Sequence, residues 1–145
     1  MRIPIGKGAR RRGFTLLEVL LVVAILVALA AFAVPNLLGV QEGANKKQAK
    51  TQAYAFSKEL RLYQQDTGMF PTNEQGLAAL KAPPNPPPKN WNGPYNTNPG
   101  ILDPWGMPYN YLYPGTRNGD PRAPDVWSNG PDRQSGTADD IGNWE

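Results

Sequence analysis

The chain has 145 residues, no Cys, no His and a formal net charge of +3. Without Cys there is no disulfide framework, thiol nucleophile or Cys-type zinc site, and without His the commonest general base and most transition-metal sites are gone. The charge is unevenly placed: residues 1–13 carry Arg2, Lys7, Arg10, Arg11 and Arg12 with no acid, whereas 14–145 hold 10 Lys/Arg against 12 Asp/Glu. The basic balance therefore belongs to a short leader, which makes no case for a nucleic-acid partner; that would need a basic patch on the folded part.

In chain order, the basic leader is followed by an apolar run from Phe14 to Val34, interrupted only by Thr15 and Glu18. As a helix its residues would rise roughly 31 Å, enough to span a bilayer. Basic residues before such a run place 1–13 in the cytoplasm by the positive-inside rule. Two other readings compete with a membrane anchor. One is a secretory signal peptide cut after Ala33 at Ala31-Phe32-Ala33. The other is a buried core helix, which the length and charge asymmetry disfavour. Glu18 is the oddity, because a carboxylate at the centre of a membrane helix costs about 3 kcal/mol on insertion scales. Read plainly, it is a carboxylate at headgroup level that stays wet.

The stretch "RRRGFTLLEVLL" around Gly13 resembles the type IV prepilin processing motif. That resemblance implies cleavage between Gly13 and Phe14, N-methylation of the new Phe14 amino terminus, and Glu18 as the fifth mature residue. It also implies that Glu18 pairs with the positive Phe14 terminus of a neighbouring subunit. A buried charge is tolerable when paired, and such a pair sets register.

Pro35 removes a helix hydrogen bond and disfavours helix in the residue before it. The resemblance to pilin-like families implies a locally unwound or kinked stretch there in the filament, with Gly39 and Gly43 adding softness. Plainly read, it marks the end of the membrane segment. Beyond it Ala49, Ala53, Phe56, Leu60 and Tyr63 step by 4, 3, 4 and 3, the apolar stripe of an amphipathic helix. The helix should stop near Asp66-Thr67-Gly68 with glycine as its cap.

"FPTNEQGLAAL" predicts a turn and then a short helix from about Asn73 to Leu80. "KAPPNPPPKNWNGPYNTNPG" is a proline-rich connector, read as a stiff loop in preference to a P-x-x-P ligand. "GMPYNYLYPG" and "DVWSNG" predict two strands joined by "PGTRNGDPRAP", within an antiparallel sheet of two to four strands. Trp91, Tyr95, Trp105, Tyr109, Tyr111 and Trp127 are expected to supply much of the core.

The tail "DVWSNGPDRQSGTADDIGNWE" sets Asp125, Asp132, Asp139 and Asp140 among glycines and turn formers. Residues 120–145 carry six acids against Arg122 and Arg133. Clustered carboxylates and carbonyls suit a hard cation such as calcium, although no EF-hand pattern is present. The alternative is a solvated acidic loop of Asx-turns.

"DTGMFPTNEQGLAAL", "NWNGPY", "LDPWGMPYNYLYPG", "DVWSNGPD" and "TADDIGNW" together resemble the major pseudopilin family of bacterial type II secretion systems, within the type IV pilin-like superfamily. The resemblance covers nearly all of the chain after the leader. It implies an α+β fold: a long N-terminal helix packed on a small antiparallel sheet, with a C-terminal calcium-binding loop. Its ligands would fall on the side chains of Asp132 and Asp139 and the carbonyl of Asn129, with Ser135 a weaker candidate. Asp140 would cap or orient the loop, and Asp125 is left as a strand residue or a supporting acid. The segment between the two aspartates, "RQSGTA", is shorter than the family's usual stretch, which leaves the main-chain ligands open.

The layout expected is a cleaved leader 1–13, a transmembrane and filament-core half-helix 14–34, and a periplasmic domain 35–145. That domain has an amphipathic helix to about 67, a connector over 82–100, and the sheet with its acidic loop over 101–145. The implied function is structural: the subunit polymerises into a periplasmic filament that drives folded proteins through an outer-membrane secretin. The implied partners are other copies of itself, minor pseudopilins, a prepilin peptidase, an inner-membrane assembly platform and the secretin. Two alternatives stand beside this. One is a pilin or minor pilin of a type IV pilus or DNA-uptake system. The other is a secreted hydrolase using a carboxylate pair from Asp103, Asp125 and Asp132.

Overall fold

The computed structural model describes residues 13–98 and 102–144, with the backbone alone over 32–38. The leader residues 1–12 lie outside that range. The chain divides into two units, Met1–Val40 and Gln41–Glu145.

One helix, α1, runs Leu16–Thr67. Its start is capped by Thr15, whose hydroxyl accepts the Glu18 backbone N–H at 3.2 Å. This satisfies one of the four N–H groups that a helix leaves open. "TLLE" thus fits the spacing of a capping box, and Glu18 puts a negative charge in the first turn, where the helix dipole favours it. The backbone stays helical through Pro35, in keeping with one long N-terminal helix; the unwound or kinked stretch that the resemblance implies concerns the filament. A proline forfeits one bond of the ladder and strains the preceding turn, about 3 kcal/mol in a helix interior, while the rest of a 52-residue helix is there to hold the path. The end is as expected. Gly68 has φ +85°, and its N–H closes on the Gln64 carbonyl at 2.8 Å.

In the first unit, every described side chain from Phe14 to Ala31 is exposed. Twelve large apolar residues between Phe14 and Leu29 have no cover. Among the described residues, no helix is long and apolar enough to cross a membrane. The described side chains of the run stop at Ala31, and the apolar sequence goes on to Val34.

In the second unit the predicted stripe is the core. Ala49, Ala53, Phe56, Leu60 and Tyr63 are all buried. Against them pack Phe70, Leu77 and Leu80, together with Tyr109 and Val126. Leu77 and Leu80 belong to η1, a 3-10 helix over Gly76–Leu80, shorter than the helix expected from Asn73. Edge-to-face ring contacts join Phe56 to Tyr109 and Tyr63 to Tyr95, with centroids 5.2 and 5.5 Å apart.

The sheet has three antiparallel strands in the order β1-β2-β3: Asn110–Leu112, Asp125–Ser128 and Ile141–Gly142. Asn110 faces Trp127 across the first pair, and Trp127 faces Gly142 across the second. Strand alternation corrects part of the expected core. Val126 points inward and is fully buried, so Trp127 turns to the other face and packs against Trp144. Trp105 is likewise half-buried and outside the core, while Trp91, Tyr95 and Tyr111 pack along its margin.

The proline-rich connector is fastened rather than loose. Trp91 Nε1 donates to the Ala79 carbonyl at 3.2 Å, and the Tyr95 hydroxyl donates to Asp66 Oδ2 at 2.9 Å. Asn96 Nδ2 donates to Glu59 Oε2 at 2.7 Å. Burial raises the Glu59 carboxyl above its ordinary range, and the Asn96 bond opposes that rise.

Candidate functional site

Two places carry the residues singled out by sequence. The first is the start of α1. Gly13 precedes the helix, and a Cβ there would meet nothing within 4 Å. Among the described residues, nothing packs against Gly13. Phe14 is 83% exposed. The Glu18 carboxylate is exposed one turn along, on the same helix end, and Phe14 and Glu18 line one shallow hollow with Val19, Val22 and Val23.

The second place is the tail between β2 and β3. β2 delivers the chain to Asn129-Gly130, and Gly130 takes φ +69°. A Cβ on it would collide with the Asp139 carbonyl oxygen, so only glycine lets the two limbs of the loop come this close. The limbs are then tied. The Asp132 N–H donates to Asp139 Oδ2 at 3.2 Å, and the Thr137 hydroxyl donates to Asp139 Oδ1 at 2.7 Å. These bonds, Thr137's first, hold the Asp139 carboxyl below the usual carboxylate range. Asp132 Oδ1 accepts the Gln134 N–H at 2.8 Å, an Asx-turn.

The remaining predicted residues have defined partners. The Asn129 side chain is held by Asn110 Nδ2 at 2.5 Å and reaches the Arg133 carbonyl at 3.4 Å. Ser135 Oγ accepts the Trp127 indole N–H at 3.1 Å. Among the described residues, no group of three or more His, Asp or Glu side chains converges as a metal site. The loop brings two carboxylates, Asp132 and Asp139, to facing limbs, and further ligands would have to be carbonyls and hydroxyls. An all-oxygen donor set of that kind fits a hard cation and does not fit zinc or copper.

The other aspartates serve the backbone. Asp125, left open by sequence, is 1% exposed. Its Oδ2 accepts the N–H groups of Thr116 and Arg117 at 2.6 and 2.8 Å, and its Oδ1 accepts that of Asn118 at 3.1 Å. It organises the β1–β2 connector. Asp103 does the same for its own turn, accepting the Trp105 and Met107 N–H groups, and also takes the Ser128 hydroxyl at 2.5 Å. Asp140 closes the tail loop: its Oδ2 accepts the Gly136 N–H and Arg117 Nη1, both at 2.8 Å. Sequence reasoning missed Arg117 and also Asn143. Asn143 Oδ1 accepts the Val126 N–H, and its Nδ2 donates to Ser57 Oγ on α1 at 2.8 Å. The one available signal was the position of Asn143 at the end of "DDIGNW", where strand-like residues follow the acidic turn.

A helix exposed from Leu16 to Ala31 in one unit and, in the other, a helix stripe packed with a three-stranded antiparallel sheet define a filament subunit of the type IV pilin-like class. Its sequence agrees. Residues 8–34 match the prokaryotic N-terminal methylation motif. Residues 36–144 match the family described as "Type II secretion system, protein G", and the chain belongs to that family. It is 45% identical over 137 residues to the type II secretion system core protein G of Dickeya chrysanthemi, covering 93% of this chain and 87% of that protein. With the core protein G of Vibrio cholerae it shares 44% identity over 142 residues, 95% and 94% of the two chains. The crystal structure of the major pseudopilin of enterohaemorrhagic Escherichia coli matches with a TM-score of 0.66 at 37% identity, over 76% of this chain and 91% of that one. The chain is thus a structural subunit of a type II secretion pseudopilus and not an enzyme. Both the pilus reading and the hydrolase reading are set aside.

Proposed function

We propose that the chain is inserted through the inner membrane by its apolar helix, with residues 1–13 in the cytoplasm and the head in the periplasm. A prepilin peptidase cuts between Gly13 and Phe14, and the new Phe14 amino terminus is methylated. An assembly platform then draws subunits into a helical homopolymer capped by minor pseudopilins, which pushes folded proteins through the outer-membrane secretin. The observation that carries this reading is the uncovered surface of α1 from Phe14 to Ala31. Covering a Leu, Val, Ile or Phe side chain is worth about 1.5–3 kcal/mol, so twelve such residues represent on the order of 20 kcal/mol that water cannot satisfy. Lipid covers this surface before assembly and neighbouring helices cover it afterwards. The test is the intact mass and N-terminal sequence of the protein isolated from its membrane. A methylated Phe14 start is expected; a Met1 or Val34 start would refute the pathway.

Within the filament, Glu18 pairs with the Phe14 amino terminus of the next subunit. In the tail, Asp132 and Asp139 hold calcium with the Asn129 carbonyl and, more weakly, Ser135. A bound dication supplies the positive charge that two facing carboxylates need in order to stay close, and it stabilises the head by mass action because only the folded loop binds it. Melting the full-length protein in detergent should show a higher Tm in calcium than in chelator, by several degrees. Asp132→Ala and Asp139→Ala should each remove that difference. A calcium increment that survives both substitutions would place the ion elsewhere.

A further inference from the structure

The tail loop carries an ion pair with a cation of the chain itself. Arg117 lies in the β1–β2 connector. Its main-chain N–H is gripped by the buried Asp125 carboxylate, and its guanidinium reaches across to Asp140 Oδ2 at 2.8 Å. Asp140 is nearly fully buried, and its Oδ1 is without a partner among the described residues. The guanidinium stands over the Trp144 ring at 4.9 Å and the Trp127 ring at 5.9 Å, and the two indoles contact each other at 6.0 Å. Trp127 in turn holds Ser135, and Asp140 holds Gly136. One side chain therefore joins a connector, the strand β2, the middle of the loop and the residue that precedes β3.

We propose that Arg117 is the positioning residue of the tail loop: it locks Asp140 in place and so pre-forms the segment 129–140 that carries Asp132 and Asp139. Three physical reasons support this. A buried carboxylate without a positive partner is strongly disfavoured, so Asp140 needs Arg117 in order to stay where it caps Gly136. The planar guanidinium can stack on indole while it binds carboxylate, and lysine cannot do both equally well. Residues that hold a ligand loop in shape without touching the ion commonly change metal affinity by 10–100-fold. The metal arm rests on the calcium reading above; the loop-closing arm does not.

The experiment compares full-length wild type, Arg117→Met and Arg117→Lys in detergent. Hydrogen exchange is followed by mass spectrometry in chelator, and calcium affinity is measured by titration calorimetry with calcium chloride. In chelator, Arg117→Met should speed exchange of peptides within 130–140 by tenfold or more, while peptides from the 49–63 helix stripe keep wild-type protection. Arg117→Lys should recover part of the loss. Unchanged exchange in the loop, or equal loss throughout the helix, would overturn the proposal. With calcium, Arg117→Met should weaken binding by at least tenfold, and unchanged affinity would overturn the link to the metal. If wild type itself takes up no calcium, the cation reading of the tail fails, and the exchange arm still decides whether Arg117 closes the loop.

Discussion

Replacing Asp125 with alanine is expected to cost about 3 kcal/mol of stability, mostly by leaving backbone donors without an acceptor. Three consecutive N–H groups, those of Thr116, Arg117 and Asn118, converge on this one carboxylate. The site lies under the connector, where a Cβ on Gly115 would collide with the Ala123 carbonyl, so the surrounding backbone has little room to rearrange. For a domain of about this size each kcal/mol moves Tm by about 4–8 °C, which predicts a fall of about 15 °C. Asp125→Asn keeps one acceptor oxygen but turns an amide N–H toward the same donors, and should lose roughly half as much. Near-ultraviolet circular dichroism melts of the full-length protein would read both. A shift of less than about 3 °C for Asp125→Ala would mean that water replaces the carboxylate and that the connector is not organised by it.

The second large effect concerns Glu18. Glu18→Ala should leave processing intact and lower filament yield by at least tenfold, because the pairing partner of the Phe14 amino terminus is gone. The capping geometry at Thr15 offers a competing explanation that the experiment must separate. A charge near a helix N-terminus contributes about 0.3–1 kcal/mol, too little to abolish assembly. Thr15→Ala removes the cap's hydroxyl acceptor and leaves the carboxylate. It should therefore assemble near normally, whereas Glu18→Ala does not. Filaments sheared from cells and quantified by immunoblot provide the readout. Equal yields from the two variants would make helix capping, and not pairing between subunits, the role of Glu18.

The residues that could be read from sequence are those whose message is local. The stripe Ala49, Ala53, Phe56, Leu60 and Tyr63 follows from helical spacing alone, and its cap at Gly68 from a single residue type. The motif around Gly13, Phe14 and Glu18 is equally local. Where sequence reasoning went wrong, a local rule met a distant partner or was left unapplied. Trp127 is expected in the core with the other aromatics, although alternation from the buried Val126 puts it on the opposite face of β2. β3 is two residues long, too short to show a period of its own, and exists through its pairing with β2. The Arg117–Asp140 pair spans 23 residues of irregular chain, and no pattern in either segment announces the other. Of the tail, the acidic loop between two strands was legible, while the network that holds it in shape was not.

Asn143 has a consequence for how the protein is made. Its amide ties the next-to-last strand to Ser57 on α1, a contact between residues 86 positions apart. Long-range closures of this kind slow folding, because the intervening chain must be ordered before the contact can form. At a synthesis rate of about 10 residues per second, Asn143 follows Ser57 by roughly 9 s. Throughout that interval the inner stripe of α1 has been made but lacks its last tether. The head therefore completes itself only after translation has passed Asn143, and the nascent chain carries an unfinished helix face until then.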